Sequence, residues 1–237
     1  MFRFLDNIAS RRQFYMYIIL IDSLILLAFY VAQTFYRVGD TAYLLFGAQY
    51  GPFVDQGEWW RIVTAMFMHG GFLHLAFNMY ALYILGSYAE GIYGSYRFLS
   101  YFIITGIAGN VATHYFYHDS LSVGASGAIF GLVGALFASG FRKDTPFFLK
   151  PITGSALLPM IIINIALGFI PGSGINNAAH IGGLLTGMLL GYAIPVYSSY
   201  RAERFWKTLA TLLLILVVIS FGMLVYSDFT LLKLATR

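Results

Sequence analysis

Residues 209–226 read LATLLLILVVISFGMLVY, a run without a single charged side chain, and six further stretches of the chain are nearly as apolar. A helix of about 20 such residues crosses a hydrocarbon layer about 30 Å thick. No other feature constrains the fold as tightly. In water these runs would need a polar coat, and the chain has none to offer. It is 59% hydrophobic and 10% charged, with a mean hydropathy of +0.75, whereas a soluble domain carries about a quarter charged residues. The expected class is therefore all-α, a polytopic membrane helical bundle. A β-barrel is excluded because the apolar runs are continuous rather than alternating. Spans are predicted near 15–36, 72–91, 97–117, 124–141, 153–170, 178–198 and 206–227.

The basic residues sort by side. With seven alternating crossings and the N-terminus in the cytoplasm, the inner segments hold Arg3, Arg11, Arg12, Arg97, Arg142, Lys143, Lys150, Arg201, Arg204 and Lys207. The outer segments hold Arg37, Arg61, Lys233 and Arg237. Ten of the 14 Lys and Arg residues thus fall inside, which is a positive-inside bias. The adopted orientation is N-terminus in, C-terminus out. The same scatter makes the pI of about 9.2 a matter of topology, so no nucleic-acid partner is expected. The first span is longer than a signal-peptide core and lacks a small-residue cleavage site, so it is expected to be retained. Cysteine is absent, which removes disulfides, thiolate catalysis and Cys-ligated metals. No HExxH occurs, and neither a metal nor a cofactor is expected.

The predicted organisation is a cytoplasmic N-terminus over 1–14, a six-helix core over 15–198, and a basic linker with a seventh helix over 199–237. The longest connection, 37–71, contains DQGEWWRIVTAMFMHGG, whose mixture of acids, tryptophans and apolar residues suits the membrane interface. The seventh span, aliphatic and preceded by YRAERFWK, reads as a lipid-facing peripheral helix without chemistry.

Polar groups at membrane depth are costly, so each needs a reason. They are Asp22, His74, Asn78, His114, Ser126, Asn164 and His180. The second, fourth and sixth spans all run inward. His74 and Asn78 lie in the first turns of the second, Ser126 opens the fourth, and His180 lies near the start of the sixth. All four therefore share one depth near the outer face. From Ser126 to Arg142 is about 24 Å of helix, so Ser126 lies below the outer boundary. The preceding LSVGA must descend as non-helical chain, which only surrounding protein or a water-filled cavity tolerates. Gly127, Gly131 and Gly134 mark one side of the fourth span, and AHIGGLLTG places Gly183 and Gly187 on the face of His180. Small residues at this spacing let membrane helices meet backbone to backbone, and a Ser126–His180 hydrogen bond follows. His74 and Asn78, four residues apart, share a face and suit an oxyanion hole beside the Ser126 amide.

Each residue also has a plainer reading. A serine between glycines often serves helix packing, and His74 with Asn78 can form a structural network. Asp22 either hydrogen-bonds within the bundle or is protonated, and it is given no role. His114 and His118, spaced i, i+4 and followed by Asp119, can ligate a metal, but an exposed interfacial pair is the simpler reading. Asn164 reads as an interhelical donor.

Taken in order, Trp60-Arg61, HGGFLHLAFN with His69, His74 and Asn78, Glu90 with Gly94-Ser95, GASG at 124–127 and AHIGGLLTG at 179–187 resemble the rhomboid family of intramembrane serine proteases. The likeness spans about 15–198. It implies a rhomboid-like six-helix core with one extra C-terminal helix, and a dyad of Ser126 as nucleophile and His180 as general base. It also implies an oxyanion hole from His74, Asn78 and the Ser126 amide. Gly124, Gly127, Gly183, Gly187, Trp60, Arg61 and Glu90 match supporting positions. Phe130 matches the residue whose ring packs on the catalytic histidine, where many members have Tyr. The implied partners are transmembrane protein substrates in a lipid bilayer, cut near the outer boundary. The implied location is a bacterial inner membrane, and oligomeric state is open. The alternative is a non-catalytic rhomboid-like chaperone or a transporter. A transporter predicts two related halves with broken helices, and the sequence shows no such repeat.

Overall fold

Each apolar run forms a helix, and the departures from expectation lie at helix ends. The computed structural model describes residues 13–36, 39, 41–197 and 199–235. Arg3, Arg11, Arg12, Arg37 and Arg237, used above for orientation, lie outside the described residues. The long helices are α1 (Phe14–Tyr36), α2 (Phe72–Ala81), α3 (Ser87–Tyr93), α4 (Ser95–Phe116), α5 (Ser126–Ser139), α6 (Leu158–Gly168), α7 (Asn177–Ala193) and α8 (Tyr200–Ala235). A π turn, Leu82–Gly86, joins α2 to α3, so the two run on as one helical rod. Three one-turn helices, Thr41–Leu45, Gly51–Asp55 and Arg61–Thr64, punctuate the first loop.

Among the described residues, three stretches are long and apolar enough to cross a membrane on their own terms: Phe14–Phe35, Phe147–Gly168 and Tyr200–Asp228. The others owe their place to the bundle. α4 buries Arg97, Ser100, Thr105, Asn110 and Thr113, which lipid would not accept but neighbouring helices do. α5 has 14 residues, about 21 Å, and is buried along nearly its whole length. The expected fifth span, 153–170, is corrected: its α-helix begins at Leu158, after the 3₁₀ segments Phe147–Ile152 and Gly154–Leu157. Pro151, inside the first of these, lacks the N–H that a regular helix would use.

α5 and α7 form the most extensive helix contact in the molecule, and glycine makes it possible. A Cβ at Gly183 would land on the Gly127 carbonyl oxygen, one at Gly187 on that of Gly131, and one at Gly191 on that of Ala135. On the α7 side Gly183 and Gly187 were expected, and Gly191 extends the seam one turn further. On α5, Gly134 faces the Leu184 backbone, while the open side of Gly131 faces Thr105 of α4.

The opposite end of the bundle is tied by two buried charges. Glu90 is 1% exposed, and its two oxygens accept the Phe14 and Tyr15 N–H groups at 3.1 and 3.2 Å. It thereby satisfies the first orphan amides of α1. Arg97 donates to Pro195 O at 2.7 Å and lies 5.6 Å from the Trp206 ring, locking α4 to the end of α7 and the start of α8. Asn164 is a correction: it donates to Met160 O of its own helix at 2.8 Å, not across helices. Asp22 is fully buried and makes no hydrogen bond, which removes the reading in which it bonds within the bundle.

Candidate active site

The chain that leads into α5 carries its own backbone protection. Ser122 and Gln49 exchange N–H···O bonds at 2.9 Å in both directions, and Gly124 N–H donates to Ala65 O at 2.9 Å. The Gln49 side chain in turn donates to Asn110 O at 2.9 Å. The first loop thus gives this non-helical segment the backbone partners it needs away from water. Arg61 holds that loop in shape. Only 2% exposed, it donates to Glu58 Oε2 at 2.5 Å, Leu44 O at 2.7 Å and Ala48 O at 3.0 Å. Trp60 beside it is also buried.

Ser126 is the first residue of α5, a helix start that no side chain caps. Its amide is among the unsatisfied first N–H groups of the helix, where the partial charge is positive. His180 sits in the first turns of α7, whose N-cap is Asn176. The Asn176 Oδ1 accepts the Ala179 N–H at 3.0 Å, and its Nδ2 donates to Thr113 Oγ1 and Ser122 Oγ, both at 2.9 Å. One side chain therefore fixes the start of α7 to α4 and to the strand of chain that delivers Ser126. Sequence reasoning missed Asn176; the signal was an Asn just ahead of an apolar helix, an N-cap pattern.

The His180 ring lies flat on Phe130, with centroids 4.1 Å apart and an interplanar angle of 9°. Phe130 is one turn below Ser126, so the stack brings the imidazole over to the serine's helix. The His180 Nδ1 is buried without a partner, leaving Nε2 as the nitrogen with access. No carboxylate hydrogen-bonds to either ring nitrogen among the described residues. The expected Ser126–His180 hydrogen bond is not formed in this structure. Backbone packing of α5 on α7 sets the helices, not the last rotamer, and contacts of this kind commonly tighten only around a substrate.

His74 approaches from the other side. Its Nδ1 accepts the Gly70 N–H at 3.2 Å, so the proton of the neutral ring sits on Nε2. That edge packs on Gly124, where an added Cβ would meet Cε1 at 2.9 Å and Nε2 at 3.0 Å, and would lie 3.9 Å from the Ser126 N. The φ of +127° at Gly124 is itself a conformation few other residues adopt. His74 thus aims an N–H donor at the loop that ends in Ser126. Asn78, buried, uses one amide hydrogen on His74 O at 3.0 Å and keeps a second. His69, fully buried, packs edge-on against His74 at 5.3 Å, a support that its place in HGGFLH did not reveal.

Residues 56–197 match the rhomboid domain. The rhomboid protease GluP of Bacillus subtilis (strain 168) is 40% identical over 181 residues, 76% of this chain and 34% of GluP. RHOMBOID-like protein 6, mitochondrial, of Arabidopsis thaliana is 39% identical over 152 residues, 64% of this chain and 49% of that protein. RHOMBOID-like protein 4 of the same plant is 36% identical over 147 residues, 62% and 37%. The chain spans half or less of the length of these relatives. With the rhomboid domain covering more than half of it, this integral membrane protein of apolar helices belongs to the rhomboid family.

Proposed function

We propose that the chain is an intramembrane serine endopeptidase, with Ser126 as nucleophile and His180 as general base. The observation that carries the reading is the stack of His180 on Phe130, one turn from a serine at an uncapped helix N-terminus. Six of the seven crossings form the catalytic core over 15–198, and the seventh is an addition to it.

In this reading the Ser126 Oγ attacks the scissile carbonyl carbon while His180 Nε2 takes its proton. The tetrahedral oxyanion faces the Ser126 amide, the Nε2–H of His74 and the free amide hydrogen of Asn78, donors oriented before the reaction begins. The imidazolium then gives its proton to the leaving amine, and the C–N bond breaks to leave an acyl-Ser126. A water molecule, deprotonated by His180, attacks that ester, and the carboxyl product departs as Ser126 Oγ regains the proton. No third acid is required; Phe130 supplies the flat support that a carboxylate supplies in other hydrolases.

The substrate follows from depth. α5 is too short to reach both membrane faces, so Ser126 is recessed, and a substrate must present extended backbone there. A regular transmembrane helix hides its carbonyls in hydrogen bonds. Single-span proteins with Gly or Pro near the end of the span unwind more readily, since these residues disfavour helix by about 1 and 3 kcal/mol. Under the N-in orientation that end is the outer one, in a bacterial inner membrane. The test is cleavage of a single-span substrate in proteoliposomes. Wild type cuts near the membrane boundary, Ser126→Ala does not, and replacing the substrate's helix breakers with Leu slows the wild type. Turnover by Ser126→Ala would end the proposal.

A further inference from the structure

A second group of ionisable side chains lies at the same end of the bundle as Ser126, outside the site just described. Asp55 closes the one-turn helix Gly51–Asp55 of the first loop, and it faces His114 and His118 at the end of α4. Asp55 Oδ2 is 2.8 Å from His118 Nε2, and Oδ1 is 3.3 Å from His114 Nε2. One ligand atom from each of the three residues lies within 4.8 Å of the others. His114 Nδ1 is buried, so Nε2 is the nitrogen it offers. His118 Nδ1 lies 3.0 Å from Asp119 Oδ1.

That last contact gives the cluster its direction. An imidazole that donates its Nδ1–H to a carboxylate presents the Nε2 lone pair forward, as metal-binding histidines are commonly oriented. Here the group in front of it is another acceptor, the Asp55 carboxylate. At 2.8 Å the two share a proton carried by the ring, and a metal ion can take that proton's place. Tetrahedral zinc, with bonds of about 2.0–2.2 Å, spaces its ligand atoms by about 3.4 Å. Asp55 Oδ1 already stands at such a distance from His114, and an ion would lengthen the 2.8 Å contact with His118 by about half an ångström. Two imidazoles and one carboxylate suit zinc and its first-row neighbours, while magnesium and calcium prefer oxygen.

We propose that Asp55, His114 and His118 bind one zinc-class divalent ion, with Asp119 orienting His118. The ion clamps the first loop to α4. Gly51 N–H already donates to His118 O at 2.9 Å across this junction, and the Gln49–Ser122 pairing follows just beyond it. The clamp therefore stiffens the frame that leads to Ser126 without touching the reacting atoms. In the sequence only the His114, His118 and Asp119 spacing was visible; the fold adds Asp55 from 59 positions away by numbering.

The test uses full-length protein in detergent, purified without a polyhistidine tag and stripped with EDTA. Titration with Zn²⁺ should saturate at one equivalent and raise the thermal midpoint, and Co²⁺ should give visible absorption bands of a low-symmetry site. Asp55→Asn, conservative and exposed, should lose both the stoichiometric ion and the thermal shift. Asp119→Asn should weaken binding by about 10–100-fold, the usual cost of losing such an orienting carboxylate. Ser126→Ala should bind the ion as wild type does, which separates this proposal from the protease reading. Absence of a stoichiometric Zn²⁺ or Co²⁺ site in wild type overturns it, as does equal binding by Asp55→Asn together with His114→Gln.

Discussion

α5 and α7 meet through their backbones, whereas α8 meets the bundle through a few side chains. At the α5–α7 seam a Cβ added to Gly134, Gly183, Gly187 or Gly191 strikes a carbonyl oxygen of the facing helix. On α8, a Cβ at Gly222 meets nothing within 4 Å, and Leu212, Val218 and Val225 are exposed to the surroundings. Lipid tails are as apolar as leucine, so the hydrophobic effect does not press membrane helices together. Close packing must do so, and the chain concentrates it where Ser126 and His180 are aligned. α8 needs mainly to be apolar, apart from its anchors Trp206, Ala210, Ser220 and Leu224, buried against the core.

This contrast can be broken or sharpened by substitution. Gly183→Val should have the largest effect. It forces a side chain onto the Gly127 carbonyl, so the cost should reach or exceed the about 1–3 kcal/mol of ordinary overpacking, and peptide cleavage should be lost. Unchanged cleavage would show that the helices do not depend on this contact. Next come the donors. His74→Ala and Asn78→Ala should each lower turnover by about 10²–10³, the usual loss for one oxyanion donor, with the melting temperature nearly unchanged. Wild-type kcat in both would make them structural residues. Glu90→Gln should cost about 1–3 kcal/mol of stability, because one amide at the start of α1 then faces an NH₂ group. Activity per folded molecule should be kept, as Glu90 is at the far end of the bundle. Gly222→Ala should change stability by no more than about 0.5 kcal/mol, and a larger loss would place α8 in an undetected contact.

How much of this was legible in the sequence depended on distance along the chain. The apolar helices were legible because apolar length is a local property. The seam was legible because Gly183 and Gly187 repeat at helix spacing, and the descent into Ser126 followed from counting helix rise back from Arg142. What failed to show were side chains whose partners are remote. Glu90 caps a helix 75 and 76 residues away, and Asn176 bonds Thr113 and Ser122. Local irregularity was equally hidden. The π turn at Leu82–Gly86 and the 3₁₀ run before α6 leave the apolar pattern unbroken, so hydropathy reads them as plain helix. Asn164 was misjudged because a buried amide in a membrane helix can satisfy itself on the carbonyl one turn back, a bond that spacing cannot distinguish from an interhelical one.

In the proposed reading α5 and α7 bring together a nucleophile and its base. Reaction with a fluorophosphonate, followed by mass spectrometry of the peptides, tests it most directly, because an alcohol is a poor nucleophile without a base. A single adduct on Ser126 is expected in wild type, none in Ser126→Ala, and at most a trace in His180→Ala with the fold intact. An adduct on another serine, or labelling of His180→Ala at the wild-type rate, would contradict it.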